Sequence, residues 1–249
     1  MIPRFYYNDR FRLGVLSGSE STTLNPVRRV ADGSITLPYA ATSGVTPSGI
    51  VLVTLASADD PTHFIVARAS ILSGYTFKLE KEDVGGGNNE TVLNETLTSG
   101  INAILTISGS ATKRKVWRLT VMAASGATPI KIFEMGLMDK ELMPRSNEVG
   151  VTRTDMLQFT RTEIPGSEPF TVGDGPSRIR TNYSFVVISG AEVTGVRNFI
   201  LGVSRGEHFM HTDDLGRSYW SEMPGKDVPM NDEAGLYRWS VTVQEVATD

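Results

Sequence analysis

The sequence predicts an all-β protein of two domains. Its apolar runs are short and are separated by turn residues, among them 24 glycines and 12 prolines. Several segments alternate apolar and polar residues, an arrangement that turns one set of side chains toward a core and the other toward water. Because strand-helix-strand repeats are not visible, we expect sandwiches or barrels rather than parallel sheets.

The first half of the chain contains seven segments with the pattern of strands. The alternation is clearest around Phe77 and around Leu119. Gly85–Asn89 is a glycine-rich connection without the lysine and serine or threonine of a phosphate-binding loop, so we interpret it as a flexible loop. The predicted strands are Ile50–Leu55, His63–Ala69, Tyr75–Lys81, Thr91–Leu97, Ala103–Ser108, Val116–Ala123 and Ile130–Met138.

The periodicity lapses between Lys140 and Thr154, and we place a domain boundary there. The predicted domains are residues 1–145, a β-sandwich, and residues 146–249, a second β domain with one short helix. The second domain is predicted to contain strands at Met156–Ile164, Ile179–Val187, His208–Thr212, Arg217–Glu222 and Tyr237–Gln244, with a turn at Asp213–Gly216.

A helix is predicted at about residues 190–204. Ser189 and Glu192 have the spacing of a capping box, and Gly206 lies where a helix would end. Apolar residues recur at helical spacing and are expected to pack on a sheet, with a groove of a partner protein as the alternative. These residues are Val193, Val196, Phe199, Ile200 and Val203.

Composition limits the classes of function. The net charge is −4 and the basic residues are dispersed, which gives no reason to expect specific nucleic-acid binding. The short basic runs at Arg28–Arg29 and Lys113–Lys115 are interpreted as solvated loops. The absence of cysteine excludes disulfides and thiolate sites and suits folding in a reducing cytoplasm. No signal peptide or membrane span is expected.

Gly202–Gly206 matches the Gly-x-Ser-x-Gly motif of serine hydrolases around Ser204. In those enzymes a strand ends at the serine and a helix begins after it. Here a helix is expected to end and a strand to follow, which places Ser204 at the negative end of the helix dipole. We therefore interpret the match as chance and expect no enzymatic activity.

Histidines and paired carboxylates are the remaining candidates for chemistry. His208 and His211 are three residues apart, so on a strand they point to opposite faces and do not share an ion with the Asp213–Asp214 pair. The Asp59–Asp60 pair lies in a turn context, where adjacent side chains diverge, and His63 begins a strand without a catalytic companion. We expect no metal, cofactor or catalytic site.

The tryptophans are candidates for a sugar-binding platform. Trp117 and Trp239 fall on the apolar faces of alternating strands and are expected in the core. Trp220 follows Tyr219 in a segment expected to be half exposed, where packing is the favoured role and an aromatic platform for sugar is the alternative.

Two resemblances to tail proteins of tailed bacteriophages follow from these segments. The first half resembles a galactose-binding-like sandwich in Asn25–Val30, the strands Gly49–Leu55 and His63–Ser73, and Ile130–Met135, with Glu134 inside the last strand. The second half is similar to a tail-tube-like β-barrel domain. That likeness rests on Tyr183–Ile188, Ala191–Val203, Gly206–Trp220 and Gly235–Glu245, with His211 where an aromatic residue is common.

These resemblances imply a virion structural protein of the distal tail. The second domain would form a ring, with a hexamer favoured, and the first would face outward toward baseplate, hub or fibre proteins. We expect assembly in the host cytoplasm, contact with the tail tube, and no membrane partner. Contacts are predicted at Ile164–Pro176, Ser221–Glu233 and Phe5–Arg12. The alternative is a carbohydrate- or receptor-binding module of the tail tip.

Overall fold

The computed structural model describes residues 2–18, 28, 31, 39–40, 48–69, 75–82, 89–97, 102–108, 112–122, 131–142, 151–156, 159–162, 170–173, 178–187, 190–203, 207–224, 230–233 and 236–246. The chain forms two compact units. We call Tyr6–Glu141 the N-terminal unit. Met1–Phe5 together with Leu142–Asp249 is the C-terminal unit, so the structure groups the first five residues with the second half of the chain.

The first half of the chain is built almost wholly of strands. One short helix, which the sequence did not predict, interrupts them directly after the first strand. The elements are β1 (Arg4–Asp9), α1 (Arg10–Leu13), β2 (Val15–Gly18), β3 (Tyr39–Ala40), β4 (Ser48–Asp59), β5 (His63–Ala69), β6 (Tyr75–Glu82), β7 (Asn89–Leu97), β8 (Asn102–Thr106), β9 (Arg114–Met122) and β10 (Lys131–Leu142).

The N-terminal unit is a sandwich of antiparallel strands. One sheet has the order β2-β4-β9-β6-β7, and a second set runs β10-β5-β8 with β3 paired to β10. Alternate residues of both sets turn inward to one core, in which Val53, Trp117, Phe64 and Leu137 are fully buried. The period-2 pattern around Phe77 and Leu119 therefore marks the core face, as predicted.

The C-terminal unit contains eight strands and one long helix among the described residues after Leu142. These elements are β11 (Thr152–Met156), β12 (Phe159–Thr162), β13 (Phe170–Gly173), β14 (Arg178–Val187), α2 (Gly190–Val203), β15 (Phe209–Thr212), β16 (Ser218–Glu222), β17 (Met230–Glu233) and β18 (Leu236–Glu245). Five strands form a sheet in the order β11-β14-β18-β16-β15, and β17 pairs with β18. β12 and β13 pair with each other as a separate two-stranded sheet.

An aromatic cluster forms the core of the C-terminal unit. Phe5 lies at its centre, and its ring centroid is 5.2 to 6.2 Å from the ring centroid of every other member. The other members are Tyr183, Phe185, Phe199, Phe209, His211 and Trp239. Because Phe199 belongs to α2 and the others to strands, the helix packs its apolar stripe on the sheet, as predicted.

The all-β fold class is confirmed, and two details differ from the sequence analysis. Phe5–Arg12 was expected to be a connection without a core role, yet it forms β1 and the start of α1, with Phe5 and Phe11 buried. Ser221–Glu233 was expected to be one loop, whereas β16 continues to Glu222 and β17 begins at Met230. Phe5 and Phe11 are buried by partners distant in the sequence, whereas β17 forms a hairpin with β18, the next strand along the chain.

Several predicted features fall outside the described residues. They are the loop residues 85–88, Ser189 of the capping box, most of the boundary stretch 140–154, the hairpin tip 163–169, and Asn25–Val30 apart from Arg28.

Candidate functional site

Most of the titratable groups singled out in the second half of the sequence lie at one end of the β15–β16 hairpin. Asp213 closes the hairpin: its amide donates to the Arg217 carbonyl at 2.9 Å, and its own carbonyl accepts from the Gly216 amide at 3.1 Å. Gly216 has φ of 84°, in the left-handed region that glycine adopts without strain. A three-residue loop closed by such a glycine is a common hairpin connection.

The buried Asp213 carboxylate holds this turn together. Its Oδ1 accepts from the amides of Leu215 and Arg217, both at 2.9 Å. Its Oδ2 accepts from the Arg217 guanidinium at 2.9 and 3.0 Å. Arg153 of β11 lies 3.8 Å from the same oxygen and pairs with Asp214. The charge of Asp213 is therefore matched by two guanidinium groups and two amides of its own unit.

His211 is buried beside this turn and has no access to solvent. Its Nε2 lies 2.7 Å from the Tyr183 hydroxyl, and its ring stacks on Phe5 at 5.2 Å. Burial lowers the pKa of His211 to about 3, against the attraction of nearby Asp213 and with a further lowering by Arg153. At neutral pH the imidazole is uncharged.

Tyr183 and Tyr219, whose rings contact His211, keep their protons at neutral pH. Burial raises the pKa of Tyr183 far above its usual value, and the Asp213 charge raises it further. Burial also raises the pKa of Tyr219, again with Asp213 adding to the effect. A general acid or base works best with a pKa near the operating pH, so these groups are poorly suited to proton transfer.

The two histidines of the segment have different neighbours. His208 is half-buried, with its Nε2 3.8 Å from Glu222 Oε2 and its ring edge-on to Trp220. His211 instead faces Tyr183 and Phe5. Within the part of the chain that the structure describes, no three histidine or acidic side chains are grouped as metal ligands would be.

The carboxylates of Asp59 and Asp60 diverge, as their adjacency predicts. Asp59 pairs with Arg10 at 2.5 Å, whereas Asp60 pairs with Lys81. The Lys81 side chain is fully buried, its ammonium lies 5.2 Å from the centre of the Trp117 ring, and it donates to the Thr112 carbonyl at 3.4 Å. Lys81 was not singled out from the sequence, although it continues the alternation of Phe77 and Leu79 onto the core face.

A second buried ion pair lies in the N-terminal unit. Glu134, inside β10, is fully buried and accepts from the Arg12 guanidinium at 3.1 Å. Nearby, Asp9 caps α1 by accepting the Phe11 amide, and the same oxygen accepts the Leu137 amide, both at 2.9 Å. These acidic groups tie β1 and α1 to β10 within the unit.

His63 is also engaged inside the N-terminal unit. Its Nδ1 lies 2.9 Å from the Thr62 hydroxyl, its Nε2 lies 3.9 Å from Glu141, and its ring meets Tyr6 edge-on at 4.7 Å. The residue is 8% exposed. It is a packed, internally bonded histidine rather than one presented to solvent.

The tryptophans are all in the core. Trp117 and Trp239 were expected there, and this is confirmed. The expectation that Trp220 is half exposed was wrong: the residue is 1% exposed, because β16 is an interior strand between β15 and β18. Tyr219 is half-buried, with the Arg217 guanidinium 5.7 Å from its ring centre. The sugar platform considered at Trp220 is therefore not present.

The serine of the hydrolase-like motif lies outside the described residues. Gly202 and Val203, which precede it, form the last turn of α2, and β15 begins at Phe209. The order is thus helix and then strand, the reverse of a nucleophile elbow, as the sequence predicts. None of the helices in the described ranges is long and apolar enough to cross a membrane.

Comparison with known proteins gives partial similarities in structure alone. No family model matches the chain, and no curated protein matches it. A chitosan-binding module of a chitosanase/glucanase from Paenibacillus sp. IK-5 is 18% identical with a TM-score of 0.45, over 53% of this chain and 99% of the module. CpGH89CBM32-4 of Clostridium perfringens, solved with GlcNAc-α-1,4-galactose, is 19% identical with a TM-score of 0.41, over 53% and 94%.

A third similar structure is a GH29 fucosidase of Ruminococcus gnavus. It is 16% identical with a TM-score of 0.44, and the match covers 53% of this chain and 26% of the fucosidase. The chain thus matches about a quarter of that enzyme's length. Fold and site together define an all-β protein of two units, in which His211, Asp213, Lys81 and Glu134 each contact a group of their own unit.

Proposed function

We propose that this chain is a structural protein of a bacteriophage tail, assembled as a ring at the distal end of the tail tube. The C-terminal unit would form the ring, and the N-terminal unit would face outward toward baseplate or fibre proteins. The protein would act by assembly and would catalyse no reaction. The proposed place in a phage tail rests on the resemblances found in the sequence. The contacts of the buried polar groups bear only on whether the protein is structural or catalytic.

The observation that carries the proposal is how the buried polar groups are used. Asp213 binds the backbone of its own turn, His211 meets Tyr183, Lys81 meets Asp60, and Glu134 meets Arg12. A catalytic group must remain within reach of a substrate. In the described part of the chain these side chains instead hold strands and turns in place, which supports a structural role.

The β12–β13 hairpin supports assembly through the C-terminal unit. Its four residue pairs, from Phe159↔Gly173 to Thr162↔Phe170, are made within the hairpin. Among the described strands neither β12 nor β13 pairs with any other. A strand pair with open outer edges is well suited to add to a neighbouring subunit's sheet, and two strands alone are marginally stable in water.

The ring is tested on the full chain. Native mass spectrometry and negative-stain images of the purified protein should show a closed ring of about six copies. A chain that stays monomeric at every concentration, or that forms only an open dimer, contradicts the ring. Addition of purified tail tubes should then place the ring at one end of the tube.

The hairpin is tested by replacing residues 159–173 with a short glycine-serine linker, which removes β12 and β13 together with their open edges. The variant should fold, as judged by circular dichroism, and lose the ring. A matched control exchanges the exposed Leu215 of the β15–β16 turn for serine, which leaves β12 and β13 intact. Rings that persist in the variant without β12 and β13 rule out this hairpin as the contact.

The alternative drawn from the sequence is a carbohydrate- or receptor-binding module. Among the residues whose side chains are described, every aromatic ring is buried except the half-buried Tyr219, so no open aromatic platform supports it there. A glycan array with the full chain tests this alternative directly. The esterase hypothesis on Ser204 is tested by ester turnover, which must disappear in Ser204→Ala for that hypothesis to hold.

A further inference from the structure

The outer strands of the sheets differ in how they are protected. β7 carries exposed Glu90 and Glu95, and its Val92 carbonyl accepts a hydrogen bond from the Ser108 amide at 3.1 Å. β11 carries Arg153, which is half-buried and pairs with Asp214. Charged side chains on an outer strand discourage pairing with another chain. These two strands therefore carry the usual protection.

Two further strands at the ends of the two larger sheets, β8 and β2, carry no charge. The side chains of β8 are half-buried from Asn102 to Leu105, so that strand is largely covered. In β2, by contrast, Val15 is 74% exposed, and Leu13 just before the strand is 57% exposed. Ser17 and Gly18 are exposed as well. Among the described strands β2 pairs only with β4, so with respect to them its other edge is open, and the strand is uncharged with the apolar Val15 in water.

β2 is also held firmly in an extended shape against β4. Its four residues pair with β4 from Val15↔Thr54 to Gly18↔Val51. A Cβ at Gly18 would lie 1.9 Å from the Ile50 carbonyl oxygen, and one at Gly14 would lie 2.3 Å from a methyl group of Val53. The glycines that bracket the strand therefore permit a close approach that side chains would prevent. The opposite side of β2 presents its backbone groups in a fixed geometry.

We propose that β2 is a self-association site, at which the β2 strands of two copies of this chain pair antiparallel about a two-fold axis. Backbone donors and acceptors on an open edge are satisfied by another strand. About a two-fold axis each strand meets its own sequence, so a charged strand would face like charges. Val15–Gly18 has no charge and meets no such repulsion, whereas a charged foreign strand would find no complementary charge on it.

The contact is small, and this sets its strength. Four residues a side, with Leu13 and Val15 as the apolar contribution, bury less area than a standard stable interface. Association through β2 is therefore weak and depends on concentration. It is independent of the ring proposed above, which uses the C-terminal unit, and two rings or two single chains would be joined equally well.

The test places like charges on the strand in the double variant Val15→Lys with Ser17→Lys. The control, Thr91→Lys with Asn94→Lys, adds the same charge to exposed positions of β7 at the other edge of the same sheet. Sedimentation velocity of the full chain is measured over a wide range of concentrations. We expect the parent and the control to double in mass as concentration rises, and the β2 variant to need at least about tenfold more protein.

Hydrogen exchange separates this contact from the ring and from misfolding. Amides of β2 should gain protection at high concentration in the parent, while those of β7 should not change. Circular dichroism and urea unfolding of the dilute β2 variant should match the parent. The proposal is overturned by a β2 variant that doubles in mass like the parent, by β2 amides that exchange equally at all concentrations, or by a parent that never doubles. Loss of rings in the hairpin variant would leave the β2 result unaffected.

Discussion

Acidification from pH 7 to pH 5 should destabilise the C-terminal unit through His211. The folded protein keeps this imidazole neutral, with a pKa of about 3, because burial opposes its charge. The unfolded chain binds the proton with an ordinary histidine pKa of about 6.5. A depressed folded pKa means that the contribution to stability is complete above pH 6.5 and is lost as the pH falls from there toward 3.

The size of the effect follows from the two pKa values. pH 5 lies about 1.5 pH units below the unfolded-state pKa. At 1.36 kcal/mol per unit, protonation of the unfolded chain therefore lowers the free energy of unfolding by about 2 kcal/mol. Near pH 3 the full separation of about 3.5 units corresponds to about 5 kcal/mol. A loss of about 2 kcal/mol is a large share of the stability of an ordinary domain.

The assay is urea unfolding followed by tryptophan fluorescence at pH 7, 6 and 5. Trp117→Phe removes the reporter of the N-terminal unit, so the signal comes from Trp220 and Trp239 of the C-terminal unit. His211→Phe should be less stable than the parent at pH 7, because the buried Tyr183 hydroxyl loses its partner at a cost of about 1–3 kcal/mol. Between pH 7 and pH 5 this variant should not show the fall in the free energy of unfolding that His211 causes in the parent.

His208→Gln is the matched control. It removes a half-buried imidazole three residues away and should keep the parent's loss of stability on acidification. Nuclear magnetic resonance of the imidazole protons gives a direct check, since His211 should not titrate between pH 8 and 5. The reasoning is refuted if His211 titrates near pH 6.5, or if His211→Phe retains the full slope.

Three further changes test other parts of the structure by urea unfolding. Gly216→Ala should cost about 1–3 kcal/mol because of the positive φ, and Gly216→Asn should cost less; equal losses would contradict this. Lys81→Met should change stability little, whereas Asp60→Ala should cost about 2 kcal/mol because the buried Lys81 ammonium loses its counter-ion. A larger loss in Lys81→Met than in Asp60→Ala would contradict the burial of this ammonium. Arg12→Met should cost about 3 kcal/mol alone and much less with Glu134→Gln, and additive losses would exclude the pair.

Local patterns predict α2 and most of the strands, but they miss the short strands β1, β2, β3, β11, β13 and β17. The alternation around Phe77 places the core face of β6, and the stripe from Val193 to Val203 places the buried face of the helix. Both are properties of neighbouring residues, which the sequence states directly. Only Ile200 of that stripe is half-buried rather than buried.

Contacts between residues that are distant in the sequence are not predictable from local patterns. Lys81 and Asp60 are 21 residues apart, Tyr183 and His211 are 28 apart, and Arg12 and Glu134 are 122 apart. Each pair exists because strand order brings its members together. The same cause explains Trp220, whose burial depends on β16 having a strand on both sides, a fact of topology rather than of local composition.

The residues of β1 are divided between the two units. Phe5 sits at the centre of the aromatic cluster of one unit, and Tyr6 to Asp9 belong to the other. A fragment starting at Leu142 would lack Phe5, and a cavity would remain between the six aromatic side chains that contact it. During synthesis Phe5 leaves the ribosome long before β18, so the core of this unit is completed only after Leu236–Glu245 has been made.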